Sequence, residues 1–362
     1  MPQHPRSGVA LRDRVQAALD TEIAHQRSVL SELGDPMSAL VDAVDNLLAG
    51  GKRLRAAFLY WGYRAAGGAD SEALVRAAAS MEMFQAAALL HDDVMDDSDL
   101  RRGRPTAHRT FAATHEQAGW TGDSARFGEA GAILAGNLCL TWCDRMFAGS
   151  GLPADQLANA RAEFDDMRTQ LMGGQFLDVL ESVRDWDDLS YPERVEQCLR
   201  VIHYKSGNYS VRQPLLIGAY AAGWDECTAA GLSDYGRELG RAFQLRDDIL
   251  GVFGDPDATG KPAGDDLREG KRTVLIAHAV EHAAPDDVEM LLGALGDPDL
   301  DPARVATVRN VLLRSGAVEL TEQMITDGAD RATAALHGIP DLAEESRAAL
   351  TDLVAACTAR TT

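Results

Sequence analysis

Residues 81–100 read MEMFQAAALLHDDVMDDSDL. The first eleven are apolar on nearly every side of a helix. Five aspartates then crowd into eight positions: Asp92, Asp93, Asp96, Asp97 and Asp99. Helical positions four apart share a face, which pairs Asp92 with Asp96 and Asp93 with Asp97. One reading is a solvated acidic helix end. Against it, the preceding turns predict a helix buried until the aspartates begin. A helix C-terminus also carries the negative pole of the macrodipole, so acid there costs stability unless a cation compensates. Oxygen-only ligands at this density suit a hard cation. Magnesium fits best, because it takes one or two carboxylates together with waters and substrate phosphates.

A second acidic cluster, FQLRDDILGVFGD, lies at 243–255. Gln244 stands three and four residues before Asp247 and Asp248, near one helical face. Two buried helices ending in such pairs would face their carboxylates if packed side by side. Left empty at neutral pH, the carboxylates would repel or take raised pKa values. Divalent cations bridging to a diphosphate resolve the repulsion. Basic residues stand beside these clusters. GGKRLR (50–55) puts Lys52, Arg53 and Arg55 at a helix start, where free N–H groups attract anions. Arg101 and Arg102 follow the first cluster, Lys205 lies in HYKSGNYS, Lys261 in TGKPAG, and Lys271 with Arg272 in REGKRT. Arginine forks match phosphate oxygens in pairs and lysine acts as a point charge.

The rest of the chain is helical in period. Helices are predicted over about 9–33, 36–49, 51–66, 70–98, 126–149, 152–182, 190–222, 226–253, 271–283, 285–295, 302–336 and 340–359. Alternating strand patterns are nearly absent. The expectation is an all-α fold, one domain over 1–362, with long, mostly antiparallel helices around a central apolar cavity and disordered ends at 1–8 and 360–362. Residues 112–128, weakly periodic and rich in glycine, are expected to form a loop over a site. A net charge of −21 excludes a general nucleic-acid or anionic-membrane surface. Five scattered cysteines form no CxxC pair and read as reduced, in a cytoplasmic protein. With no leader-like N-terminus and no run of about 18 apolar residues, no membrane span is expected.

In this order and spacing the motifs GGKRLR, HDDVMDDSDLRRG, GQFLD, KSG, FQLRDDILGVFGD and TGKPAGDDLREGKRT resemble the trans-isoprenyl diphosphate synthases. The resemblance runs from about 36 to 336. It implies a prenyltransferase that condenses isopentenyl diphosphate with an allylic diphosphate, uses up to three Mg2+ ions and forms a homodimer. By position it implies that Asp92, Asp96 and Asp247 bind magnesium, with Asp93 and Asp248 assisting. It also implies that Arg101, Lys205 and Lys261 hold the allylic diphosphate. Lys52, Arg55, Gln85 and Arg102 would hold isopentenyl diphosphate. Lys205, Ser206 and Gln244 would face the developing cation.

Two positions depart from the pattern. Gly251 replaces the last aspartate of the second cluster, for which Asp255 or Asp265 is expected to substitute. Ser206 replaces threonine, keeping the hydroxyl but losing a methyl that would fix its rotamer. Up the helix from Asp92, Ala88 and Ala87 are too small to block a growing tail. Phe84 is the first large ring, about 4.5–6 Å deeper. That favours a twenty-carbon product, geranylgeranyl diphosphate, with farnesyl or longer products as alternatives. A neighbouring helix could form the floor instead, with Phe84 simply core. A class I terpene cyclase would need no isopentenyl site, so the GGKRLR and RRG motifs speak against it. A non-catalytic partner subunit would be expected to lose aspartates or basic residues.

Overall fold

The computed structural model describes residues 7–186, 188–254 and 264–359. Lys261, Asp255 and the expected disorder at 1–6 and 360–362 lie outside them, whereas Ser7 and Gly8 already begin the first helix. The fold is all-α, as the periodicity predicts, and the chain divides into two compact units.

The first unit comprises Met1–Arg161 and Pro214–Asp225. It contains α1 (Ser7–Ser31), α2 (Ser38–Leu48), α3 (Leu54–Ala65), α4 (Glu72–Met95), the strands β1 (Leu100–Arg101) and β2 (Arg104–Pro105), α5 (Ala107–Gln117) and α6 (Ser124–Ala148). It also takes the start of α7 (Ala154–Val183). Helix α4 is its core element and packs against α1, α3 and α6. It begins where the Ser71 hydroxyl accepts from the Leu74 N–H at 3.1 Å, an N-cap that satisfies one of the helix's orphan donors. Alanines at 77–79 and 86–88 extend it at low entropic cost. Leu74, Val75, Met81, Met83, Phe84 and Leu90 are fully buried along it. Helix α4 is long and apolar enough in composition to cross a membrane, but 72% of its apolar window is buried within the protein, as in a core helix.

The second unit comprises Ala162–Gln213 and Glu226–Thr362. It holds the rest of α7, then α8 (Tyr191–Val201) and a π-helix (Ile202–Arg212) that leads into α9 (Gln213–Ala221). Beyond α9 follow α10 (Ala230–Phe253), α11 (Asp265–Arg268), α12 (Val274–His282), α13 (Pro285–Leu292), α14 (Pro302–Arg314), α15 (Ala317–His337) and α16 (Glu344–Thr358). Its centre is α10, packed against the π-helix, α15 and α16. Tyr235, fully buried on α10, donates its hydroxyl to the Leu350 carbonyl at 2.7 Å.

Several predicted boundaries change. The expected loop at 112–128 is mostly helix. The irregular stretch is 118–123, where Gly119 (φ +62°) and Gly122 (φ +103°) break the period and Asp123 caps α6. The period was weak because α5 buries only His108, Phe111 and His115. The helix expected at 302–336 is two helices, broken at Gly316 with φ +75°. The helix expected at 190–222 contains the π segment. At the end of α4, Asp97 takes φ +52° outside the helix, so it does not share a helical face with Asp93.

Candidate functional site

In the first unit the structure sorts the five aspartates. The turn between β1 and β2 is Arg102-Gly103, with φ +52° and +73°, the two left-handed positions of a tight two-residue hairpin. The hairpin sends the two arginines in different directions. Arg101 folds back on α4 and donates from Nε at 2.7 Å and from a terminal nitrogen at 2.5 Å to Asp93 Oδ1. The same guanidinium lies 3.9 Å from Asp92 Oδ2. Asp93 is 2% exposed, so its charge is compensated inside the protein. Arg109 on α5 takes Asp99 at 2.7 Å and Asp97 at 2.8 Å. Asp92 and Asp96 are half-buried, four residues apart on one face, as expected.

Arg102 turns the other way. It donates to the Leu47 carbonyl at 3.2 Å and lies against Gly51, whose added Cβ would stand 3.4 Å from its guanidinium. Gly50 (φ +86°), Gly51 (φ +100°) and Arg53 (φ +55°) bend the chain just before α3. Arg53 is 5% exposed and anchors that bend: it pairs with buried Glu82 at 3.6 Å and bonds the Leu48 carbonyl. Glu82 also accepts from the Ala56 N–H at 3.1 Å. Arg102 reaches solvent, yet its surroundings lower its pKa. Local burial comes first, followed by the charges of Arg101, Arg53 and, more weakly, Arg55, with Glu82 opposing. The first unit therefore gathers Arg53, Arg55 and Arg101 within electrostatic reach of Arg102. Lys52 is exposed on the same bend and Gln85 is half-buried on α4.

Higher on α4, Ala88 is half-exposed one turn before Asp92, while Ala87 and Phe84 are 0% and 1% exposed. Of the two alanines, only Ala88 lies on the open side.

In the second unit Lys205 and Ser206, both half-buried, sit on the π-helix. The Lys205 ammonium donates to Asp178 Oδ2 at 2.5 Å. The π-helix lies close to its neighbours because glycines permit it. A Cβ at Gly174 would stand 2.4 Å from the Lys205 N, and one at Gly240 would stand 2.6 Å from the Gly207 carbonyl oxygen. Single-turn π geometry often marks functional positions, and an eleven-residue stretch is unusual.

On α10 the Gln244 amide donates to Asp248 Oδ1 at 2.8 Å, as their four-residue spacing predicts. Asp247 is exposed and Asp248 is 6% exposed. The Asp248 carboxyl is pushed up to about 8, first by burial. Gln244's bond opposes this, Asp266 and Asp247 add to it, and Lys271 relieves it.

Asp266 was not among the residues expected to stand in at position 251. Its carboxylate nevertheless occupies the space at Gly251: a Cβ built there would meet Asp266 Oδ2 at 1.8 Å. Asp178 and Arg109 were also missed. The first lies in the quoted GQFLD motif, but the second carries no sequence signal.

Among the described residues no three His, Cys, Asp or Glu side chains form a closed metal cage. The donor set still suits magnesium, which needs only one or two carboxylates when phosphate oxygens and water complete its shell. The raised Asp248 pKa and the all-oxygen donors at both clusters fit that ion.

Residues 37–312 match the polyprenyl synthetase family. Among solved structures, the chain is similar to a geranylgeranyl pyrophosphate synthase from Corynebacterium glutamicum, complexed with isoprenyl diphosphate and magnesium. The TM-score is 0.90 and the identity 38%, over 96% of this chain and 98% of that one. It is 34% identical to the geranylfarnesyl diphosphate synthase of Aeropyrum pernix, over 83% of this chain and 87% of that protein. It is also 34% identical to the octaprenyl diphosphate synthase of Escherichia coli (strain K12), over 81% of each. These relatives differ in the chain length their names give.

Proposed function

The chain belongs to the polyprenyl synthetase family, and we propose that it condenses isopentenyl diphosphate with an allylic diphosphate to make geranylgeranyl diphosphate. One observation carries this reading. A two-residue hairpin sets Arg101 on the acidic end of α4 and Arg102 on the Gly50–Gly51 bend, so metal-type carboxylates and diphosphate-type cations meet within one unit. In this reading Asp92 and Asp96, assisted by Asp93, and Asp247, assisted by Asp248, hold up to three magnesium ions. Bound magnesium supplies positive charge to the leaving diphosphate. Arg101 exchanges Asp93 for the allylic diphosphate, and Lys205 likewise exchanges Asp178. Lys261, outside the described residues, completes that set.

Both side chains stabilise charge that develops only as the C–O bond breaks. Lys52, Arg55, Arg102 and Gln85 hold isopentenyl diphosphate. The Ser206 hydroxyl and Gln244 carbonyl turn oxygen dipoles toward the allylic cation. The isopentenyl double bond attacks that cation and a proton leaves to the departed diphosphate. The apolar wall of α4 keeps water from capturing the cation. Ala88 leaves room for the tail one turn beyond Asp92, and Phe84 ends it a further turn on, about 6 Å deeper.

The same reading makes the protein a cytoplasmic homodimer forming one folding domain. The five cysteines, none in a disulfide, suit a reducing compartment. The exposed Phe127, Ile133 and Leu134 on α6, with Trp120 just before it, suit burial against a second copy. The test is to incubate the purified chain with isopentenyl diphosphate, farnesyl diphosphate and Mg2+, then chromatograph the dephosphorylated products. Geranylgeraniol is expected. No elongated product refutes the activity, and another chain length refutes only the product.

A further inference from the structure

The π-helix lies on one face of α7. Gln170, Gly174 and Asp178 follow at four-residue intervals, so they share that face. Asp178 takes the Lys205 ammonium, and Gly174 lets the Lys205 backbone approach. Gln170, one turn before Gly174, takes Asn208: the Asn208 amide donates to Gln170 Oε1 at 3.2 Å. Gln213, at the start of α9, donates to the same oxygen at 3.4 Å. The Asn208 amide nitrogen also lies 3.2 Å from His203 Nε2. Burial, then the charges of Arg212, Arg241 and Arg237, lower the His203 pKa, so the neutral ring can accept there. Both amide hydrogens of Asn208 are thereby used. Its Oδ1 has no hydrogen-bond partner among the described residues, although Asn208 is 2% exposed. A buried oxygen left this way is costly, so the amide is placed for its two N–H groups and not for packing.

The His203 contact belongs to this backbone. Five residues of an α-helix turn through about 500°, which leaves positions i and i+5 about 140° apart. The i→i+5 bonding of a π-helix brings them together instead. The Asn208–His203 bond thus fastens the segment in its π register, and the Gln170 bond fastens that register to α7. Lys205 lies between the two pinned positions, 203 and 208. Resting on the prenyl-transfer reading above, in which Lys205 holds the allylic diphosphate, we propose that Asn208 is a positioning residue for that reaction. It touches no substrate. By holding the π register through His203 and Gln170 it aims the Lys205 ammonium, and a slip toward α-helical register rotates that side chain about the helix axis.

The experiment measures Tm, kcat and both KM values for the full chain with farnesyl diphosphate, isopentenyl diphosphate and Mg2+. Asn208→Leu, of similar size, is expected to lower kcat by about tenfold, within the roughly 100-fold that a 1 Å misplacement can cost. Its KM for isopentenyl diphosphate is expected to stay within about twofold of the wild type, and its Tm to change little. His203→Leu is expected to show the same loss. His203→Gln, whose Oε1 can accept where Nε2 does, is expected to keep kcat within about twofold. In a Lys205→Gln background, adding Asn208→Leu is expected to cost less than about threefold, because the group being aimed is gone. A merely structural role would instead carry its full cost into that background. The proposal is overturned if folded Asn208→Leu or His203→Leu keeps the wild-type kcat. It is equally overturned if His203→Gln is as slow as His203→Leu, or if the tenfold loss recurs without Lys205. Should Asn208→Leu not fold, the His203 pair decides. A wild type that forms no elongated product overturns the prenyl-transfer reading and this inference together, whereas an active wild type with unaffected variants overturns this inference alone.

Discussion

Asp93→Asn separates the structural duty of the first acidic cluster from its chemical one. Asp93 is 2% exposed and accepts from Arg101 at 2.7 and 2.5 Å. At an effective dielectric of 20 a pair at that distance attracts by about 6 kcal/mol, most of which offsets desolvation of the two ions. Removing one partner is costlier than the net worth of the pair, typically about 3–5 kcal/mol, because the other charge stays behind. Arg101's side chain is 16% exposed and Asp92 is 3.9 Å away to share its charge, which puts the expected loss near the low end, about 3 kcal/mol. With unfolding entropy of about 2.1 cal/mol/K per residue, that lowers Tm by about 4 °C if all 362 residues melt together. If the first unit, roughly 170 residues, melts alone, the drop is about 8 °C. Differential scanning calorimetry reads the shift and so also tests the one-domain proposal. Arg101 then turns toward Asp92, so the Mg2+ needed for half-maximal activity is expected to rise several-fold. Asp99→Asn, whose side chain is 74% exposed, is the control and is expected to change stability by less than about 0.5 kcal/mol. Asp93→Asn melting no lower than the control would refute a structural role for the Arg101–Asp93 pair.

Four further outcomes are expected. The folded Asp248 carboxyl holds its proton up to about pH 8, whereas an unfolded one releases it near 3.8. Stability of the metal-free protein therefore falls as pH rises between those values and levels off above, and denaturant melts of Asp248→Asn should lose that slope. Phe84→Ala should lengthen the product, and Ala88→Phe should shorten it, by chromatography of the released alcohols; unchanged products would remove α4 as the tail's floor. Gly62→Ala should destabilise by about 1–3 kcal/mol despite better helix propensity, because the new Cβ would stand 2.1 Å from the Leu215 carbonyl oxygen; chemical denaturation measures it. Lys205→Gln should lower kcat by about 100-fold at saturating substrate with little change in Tm, and a change in KM alone would contradict a transition-state role.

The parts legible in the chain were those that repeat or cluster locally. Period 3.6 marked α4 and α10 as helices, and their apolar turns marked them as core. The spacing of Gln244 and Asp248 was enough to predict that they meet, because four residues along a helix is a contact. The hairpin at 100–105 was not seen: two-residue strands carry no periodicity, and its turn rests on two left-handed residues, one of them an arginine. The π-helix was equally invisible, since the approach of Gly174 and Gly240 that accompanies it is tertiary.

Composition and order therefore determined which residue types gather: carboxylates at two helix ends, arginines at one bend, alanines where a tail would run. Only the folded chain decided how they pair. Asp92, Asp93, Asp97 and Asp99 are chemically alike, yet Arg101 closes on Asp93 while Arg109 takes Asp97 and Asp99. Arg101 and Arg102 are neighbours in sequence, yet one hairpin turn sends them to different partners. The third case is the plainest: a glycine at 251 reads as a lost aspartate, and only packing shows the Asp266 carboxylate lying against it. Helical periodicity is a property of neighbours along the chain. Ion pairing depends on ångström distances between residues far apart in it, and those distances exist only after the helices have packed.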